Sequence, residues 1–175
     1  MTITTAAPND TKAIYELMIQ THAALKHPEW YCIDEEHYIL EHLTDKNKGI
    51  VFKAVEHETL AAFFLIHIPG LTADNLGHYL NFSDDQLNLV AHMDSAAVHP
   101  DFRGLRLQHT LMARGEQWLI DAGFVHLLGT VHPDNQYSLN NFLKLGYRII
   151  TTTEKYGGLP RHVMYKGPFA SPIAP

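Results

Sequence analysis

Several features that would point to common functions are scarce or missing in this sequence. Cys32 is the only cysteine among 175 residues, which excludes an intramolecular disulfide framework and is typical of a reducing compartment, the cytoplasm. Positive charge is also scarce, because 13 lysines and arginines stand against 19 acidic residues. This balance does not favour nucleic acid or an anionic membrane as a partner. Residues 1–8 have neither a basic start nor a long apolar run, so we expect no signal peptide and no membrane anchor.

Three familiar phosphate and metal motifs are missing as well. Neither GxxxxGK[ST] nor GxGxxG occurs, and there is no HExxH. Histidine is abundant at 13 residues, but the pairs His22/His27 and His37/His42 are five apart, whereas two ligands on one helix face are four apart. We therefore expect no metal cofactor, and any phosphate site must be local.

The sequence does contain a regular order of helix and strand patterns. An amphipathic helix starts at Asp10, and a second helical segment covers residues 34–43. The remaining predicted elements are a hairpin over 49–70, a strand over 90–98, a helix over 107–123, a strand over 124–131, a helix capped by Asp134, two closing strands over 147–156 and 161–167, and a proline-rich tail. This order, without a linker, predicts one α/β domain of the α+β type over residues 1–175.

The stretch HPDFRGLRLQHTLM, residues 99–112, joins the predicted strand 90–98 to the following helix. A strand-turn-helix junction collects free backbone N–H groups and the positive end of the helix dipole, which favours an anion. An Arg-Gly pair before a helix is equally consistent with a plain turn. The junction alone therefore leaves both interpretations open.

Two longer segments, SAAVHPDFRGLRLQHTLM and VHPDNQYSLNNFLKLGY, resemble the two landmarks of the GNAT superfamily of acyl-CoA N-acyltransferases. They occur in the family's order, about one βαβ unit apart, and the resemblance covers residues 90–147. It implies a mixed, mostly antiparallel central sheet flanked by helices, with acetyl-CoA bound where the two central strands splay apart. It also implies an acetyl transfer to a small or peptide amine.

The resemblance implies a set of cofactor-binding residues at the end of strand 90–98 and on the two following helices. These are Ala96, Ala97, Val98, Arg103, Gly104, Leu105, Arg106, Leu107, Gln108, His109, Asn135, Ser138 and Phe142. The Val98 amide is the implied oxyanion donor. Asn135 and Ser138 have an alternative role as helix-capping residues.

Two positions of the phosphate-binding motif depart from the family pattern. Arg106 stands where the family has glycine, and Gln108 where it has glycine or alanine. A side chain at 106 is strained if the backbone needs a positive φ. The guanidinium of Arg106 either contacts a phosphate or belongs to a solvated surface residue.

A general base is expected because an amine with a pKa near ~10 is almost fully protonated at pH 7. Strand alternation puts His92 and Asp94 on one face with Ala96 and Val98. We expect His92 to act as the base, directly or through water, while Asp94 orients it or binds the amine. AHMDSAAVHP also looks like the arylalkylamine N-acetyltransferase branch, which has histidines at these two positions. The alternative is that His92 is a hydrogen-bonded strand histidine without a catalytic role.

The general acid is less defined, because Phe142 stands where the family commonly has tyrosine. Ser138 is the catalytic candidate that replaces it, and Tyr137, Tyr147, Tyr156 and Tyr165 are further candidates. The leading hypothesis is an N-acetyltransferase that works by direct attack in a ternary complex. The alternatives are a CoA-binding module without turnover and an interaction protein without cofactor. Trp30, Tyr31 and the closing strands offer a surface for a homodimer.

Overall fold

A seven-stranded sheet forms the centre of the computed structural model, which describes residues 1–170. The strands are β1 (Thr2–Thr5), β2 (Gly49–Glu56), β3 (Thr59–His67), β4 (Val90–Val98), β5 (His126–Val131), β6 (Arg148–Lys155) and β7 (Leu159–Lys166). The helices are α1 (Thr11–Ala23), α2 (Glu36–Thr44), α3 (Asp84–Leu87), α4 (Leu107–Asp121) and α5 (Gln136–Lys144). The end of the predicted proline-rich tail lies outside the described residues, and the single domain over 1–175 stays a prediction.

The strands are ordered β1-β2-β3-β4-β5-β7-β6. Only β4 and β5 pair in parallel, joined by the crossover helix α4, and all other neighbours are antiparallel. This confirms the mixed, mostly antiparallel sheet expected from the sequence. The structure adds β1, which was not predicted and which extends the sheet at its edge.

Helices cover both faces of the sheet. On one face α4 packs through Leu107, Leu111 and Leu119 against β3 and β4, and on the other α1 and α2 cover Phe63, Leu65 and Ala97. The α4 residues recur every fourth position, the spacing that turns one helix stripe toward a sheet. The two cores thus lie on opposite faces of the sheet and share β3 and β4 between them.

The separation of β4 and β5 is the feature that positions the site. The two strands pair only from Val90 opposite His126 to Met93 opposite Gly129, although β4 continues to Val98. On its other side β4 stays paired with β3, with a bulge at Asp94, since Met93 opposes Ile66 and Ser95 opposes Leu65. Residues 94–98 therefore have an open backbone edge, which confirms the predicted splay.

The bulge corrects the assignment of side chains to the faces of β4. One extra residue in a strand reverses the alternation beyond it. Met93 lies on the α4 side with Ala96 and Val98, whereas Ala97 packs on the α1 side. The prediction that His92 shares a face with Ala96 and Val98 was wrong, because strict alternation cannot anticipate a bulge.

Gly115 is where α4 approaches the sheet most closely. An added Cβ would lie 2.8 Å from Ile66 Cδ1 and 3.0 Å from Phe64 Cε1. We expect Gly115→Leu to lower the free energy of unfolding by about 2 kcal/mol, because overpacking outweighs the gain in helix propensity of roughly 1 kcal/mol. Urea denaturation measures this. Arg114→Leu, at the exposed neighbouring position, is the control with a change below about 0.5 kcal/mol; equal effects would contradict the prediction.

Candidate active site

The open edge of β4 presents backbone donors to the space between β4 and β5. The His99 amide donates to the Ala61 carbonyl of β3 at 2.9 Å. Since consecutive strand amides point to opposite edges, the amides of Val98 and Ala96 point to the open edge. This edge can pair with an extended ligand and can donate to a developing oxyanion.

A groove of about 900 Å³ runs from this edge across the N-termini of α4 and α5. Most of the predicted cofactor-binding residues line it: Ala96, Ala97, Val98, Arg103, Gly104, Arg106, Leu107, Gln108, Asn135, Ser138 and Phe142. Leu105 and His109 do not. The groove thus joins the two sequence segments that carry the family resemblance.

The turn before α4 contains two left-handed residues. Gly104 has a φ of 85°, and Arg106 has a φ of 60° and a ψ of 24° as the residue that precedes the helix. The backbone at 106 therefore has the conformation that favours glycine, and the exposed arginine side chain is held there at a cost of about 1 kcal/mol. The helix amides behind it remain free to face an anion.

A hydrogen-bond chain links the two helix N-termini across the groove. Gln108 Nε2 donates to Ser138 Oγ at 3.0 Å, and the Ser138 amide donates to Asn135 Oδ1 at 3.1 Å. Asn135, not the predicted Asp134, is therefore the cap of α5, because its side chain reaches the free amide. Ser138 Oγ lies on the groove, and its catalytic role stays a prediction.

A second, small cavity of about 250 Å³ lies beside the groove. The residues that line both spaces are Trp30, Tyr31, Met93, Asp94 and Thr130. They lie where β4 and β5 separate. A molecule in the groove and a molecule in the small cavity would therefore meet at this point.

Asp94 is the acidic residue shared by the two spaces. The Tyr38 hydroxyl donates to Asp94 Oδ2 at 2.7 Å. Desolvation by the surrounding protein raises the pKa of Asp94 to about 6, and the Tyr38 hydrogen bond offsets part of this rise. Nearby, desolvation and then the charge of Asp94 raise the pKa of Asp34 to about 7. The pKa of each carboxyl is therefore raised above the ordinary value of an aspartate.

His92 has a different environment from the one the base assignment requires. Its side chain is 5% exposed, and its Nε2 accepts a hydrogen bond of 3.0 Å from the Leu76 amide. Desolvation, and secondarily the neighbouring His67, lower the pKa of His92 to about 3. The lone pair of Nε2 is already used in the hydrogen bond from Leu76, so it is not free to accept a proton from an amine. This favours the alternative role of His92 as a hydrogen-bonded strand histidine.

The candidates for the general acid fall into two groups. Tyr147 lies edge-on to Phe142 in the core, and Tyr165 is bonded to His126, so neither reaches the groove. Tyr137 and Ser138 line the groove, and Tyr156 lines the small cavity, where its hydroxyl is 3.1 Å from Thr130 Oγ1.

Three residues at the site were not singled out from the sequence as catalytic or binding residues: Tyr31, Tyr38 and Arg161. The Tyr31 hydroxyl is 3.0 Å from Ser95 Oγ and borders both spaces. Arg161 lines the small cavity at the start of β7. No local motif marks them, because each reaches the site from an element remote in sequence.

No group of three or more metal-ligating side chains occurs within residues 1–170. In the same range, no helix is both long and apolar enough to cross a membrane.

The sequence matches the family model described as "Acetyltransferase (GNAT) family" over residues 12–147. The chain therefore belongs to the GNAT acetyltransferase family, whose members are acetyl-CoA-dependent acyltransferases. Acetyl-CoA is accordingly its acyl donor.

Known structures share this fold. The yncA structure from Salmonella typhimurium, determined with its cofactor acetyl-CoA, is 18% identical with a TM-score of 0.73 and covers 99% of this chain and 98% of its own. The ribosomal-protein-S18-alanine N-acetyltransferase from Escherichia coli is 17% identical with a TM-score of 0.72, covering 98% and 96%. No curated protein sequence matches the chain.

Arg106 allows a test that separates backbone strain from ligand contact. We expect Arg106→Gly to raise the free energy of unfolding by up to about 1 kcal/mol, while Arg106→Ala keeps the strain. If the guanidinium contacts a phosphate, both variants weaken acetyl-CoA binding about tenfold. Calorimetric titration measures the affinity for acetyl-CoA. Affinities within twofold of the wild type would show that Arg106 is a solvated surface residue that does not contact the phosphate.

Proposed function

We propose that the protein transfers the acetyl group of acetyl-CoA to a primary amine by direct attack in a ternary complex, with Asp94 as the proton acceptor. The observation that carries this proposal is the position of Asp94 where the groove meets the small cavity. Acetyl-CoA occupies the groove, and the amine approaches from the small cavity. The amine nitrogen bonds to the thioester carbon, the C–S bond breaks, and the amine proton passes to Asp94.

Asp94 suits this role better than His92 does. A general base works best with a pKa near the operating pH, and desolvation raises the pKa of Asp94 to about 6. Its Oδ2 accepts from Tyr38, which fixes the orientation of the carboxylate. His92 instead holds the Leu76 amide, so we assign it the role of positioning the loop that closes the small cavity.

The open-edge amides supply the oxyanion donor. Ala96 is two residues from Asp94, about 7 Å along the strand, whereas Val98 is four residues away, about 13 Å. The thioester carbon must lie close to the amine beside Asp94, which favours the Ala96 amide over the Val98 amide expected from the sequence. A donor fixed in the backbone stabilises the developing negative charge without reorganisation.

The leaving thiolate does not require a strong acid. Because a thiol has a pKa near ~8.5, the thiolate is stable enough to leave without being protonated. A general acid that protonates it would raise the rate roughly 10²-fold. Tyr31, on the border of both spaces, and Ser138, on the groove, have hydroxyls available for it.

A CoA-binding module without turnover is the second candidate. It is favoured by Phe142, whose buried ring has no hydroxyl to protonate the thiolate. The two candidates differ in one observable. Thiol release with amines supports the enzyme, and acetyl-CoA binding without any release supports the module.

Asp94→Asn tests the base. We expect kcat to fall about 100-fold or more, since general base catalysis contributes about 10² to 10⁴. The affinity for acetyl-CoA should stay within twofold, because the change is isosteric. Asp121→Asn, an exposed aspartate at the end of α4, is the matched control. A kcat within twofold of the wild type would exclude Asp94 as the base.

Tyr38→Phe tests the same assignment through pH. The Tyr38 hydrogen bond lowers the pKa of Asp94, so its removal raises that pKa. A base must be deprotonated, so kcat/KM rises with pH through the Asp94 pKa, near 6 in the wild type. We expect the acidic limb of the Tyr38→Phe profile to move to higher pH for the same amine. A limb that stays in place would contradict the assignment.

A further inference from the structure

Charges of both signs line the small cavity, and they come from different elements of the fold. The carboxyls of Asp34, Asp74 and Asp94 come from the segment before α2, the loop after β3, and β4. Lys155 and Arg161 come from the end of β6 and the start of β7, across β5 from β4. A ligand complementary to this cavity carries both a cation and an anion.

Arg161 is the most informative of these residues because it is only 3% exposed. Its Nη1 donates to the Pro160 carbonyl, and its Nη2 to the Glu29 carbonyl and, at 3.5 Å, to Cys32 Sγ. Among the salt bridges of residues 1–170, none involves Arg161. A buried ion costs several kcal/mol unless a counter-charge is present.

The protein compensates this charge only in part. The Tyr156 ring lies 5.3 Å from the Arg161 guanidinium carbon, a cation-π contact. Lys155 lies 5.5 Å from the Tyr79 ring and, like Arg161, forms no salt bridge within the described chain. A carboxylate from the ligand would supply the missing anion, and a planar guanidinium suits carboxylate geometry.

We propose that the small cavity binds an amino acid, with its amine directed to Asp94 and its carboxylate paired with Arg161. The direction of the amine rests on the proposed acetyl transfer, whereas the carboxylate contact does not. The volume of about 250 Å³ lies just below the range of about 300–1,000 Å³ for drug-sized ligands, which suits a molecule of this size. A polyamine would bring a second cation to the wall that holds Lys155 and Arg161.

The aromatic residues around the small cavity determine which ligands should be tested. Trp30, Tyr31, Tyr38 and Tyr156 border the cavity, which favours an apolar or aromatic side chain. The probes are the twenty standard amino acids, with L-phenylalanine and L-leucine each matched to its carboxamide and its decarboxylated amine. The carboxamide keeps the size and the amine while removing the negative charge.

Two readouts on the wild-type protein test the proposal. Calorimetry with CoA present measures binding, and thiol release with acetyl-CoA measures turnover. We expect at least one amino acid to bind, and its kcat/KM to exceed that of its carboxamide and of its amine at least tenfold. Equal or higher kcat/KM for the carboxamide or the decarboxylated amine, or no binding of any amino acid, would overturn the proposal.

Variants of Arg161 locate the carboxylate contact. Arg161→Gln removes the charge, Arg161→Lys keeps it, and Arg114→Gln on the exposed face of α4 is the control. We expect the ratio of kcat/KM between amino acid and carboxamide to fall at least tenfold in Arg161→Gln and to be partly retained in Arg161→Lys. An unchanged ratio would mean that Arg161 only ties Glu29 and Cys32 to β7. If Arg161→Gln does not fold, the proposal is tested by the comparison of amino acid and carboxamide on the wild-type protein and by Arg161→Lys.

The outcomes separate this inference from the proposed function. Binding of amino acids over their carboxamides without thiol release supports the inference and contradicts acetyl transfer. Thiol release that favours the decarboxylated amines supports acetyl transfer and contradicts the inference.

Discussion

The separation of β4 from β5 after Met93 is the constraint on which the rest of the site depends. Parallel strands that stayed paired would satisfy their backbone groups with each other and leave no edge for a ligand. The bulge at Asp94, on the β3 side of the strand, falls at the point where β5 separates on the other side, so Asp94 lies at the start of the open edge. On its other side β4 stays paired with β3 as far as Val98, and residues of both strands are buried in the cores on the two faces of the sheet.

Most of the fold was predictable because its elements carry strong local signals. The apolar stripe of α4 follows the helical period closely, and the predicted bounds of the strand VAHMDSAAV agree with the structure. β1 was missed because TITT has no buried alternation and is held by pairing with β2. The bulge was missed because its cause is the register with β3, which no period in β4 records.

The cofactor side of the site was predictable for a similar reason, since its residues lie in two continuous segments of the chain. The other side of the site, around the small cavity, was not predictable in this way. His92 and Asp94 both line the small cavity, but their environments depend on Leu76 and Tyr38, which come from other elements. Hydrogen bonds of this kind decide which group has a free lone pair, and they appear only when the chain is folded.

The segment that begins at Pro28 forms a wall common to both spaces, through Trp30 and Tyr31. It is also tied to β7 by the hydrogen bonds from Arg161 to Glu29 and Cys32. A ligand in one space that shifts this wall changes the affinity of the other space for its own ligand. Thermodynamic linkage makes such an effect reciprocal, so donor and acceptor would each change the dissociation constant of the other by the same factor. A shared wall thus makes one short, tethered segment the structural link through which occupancy of one space would change binding in the other.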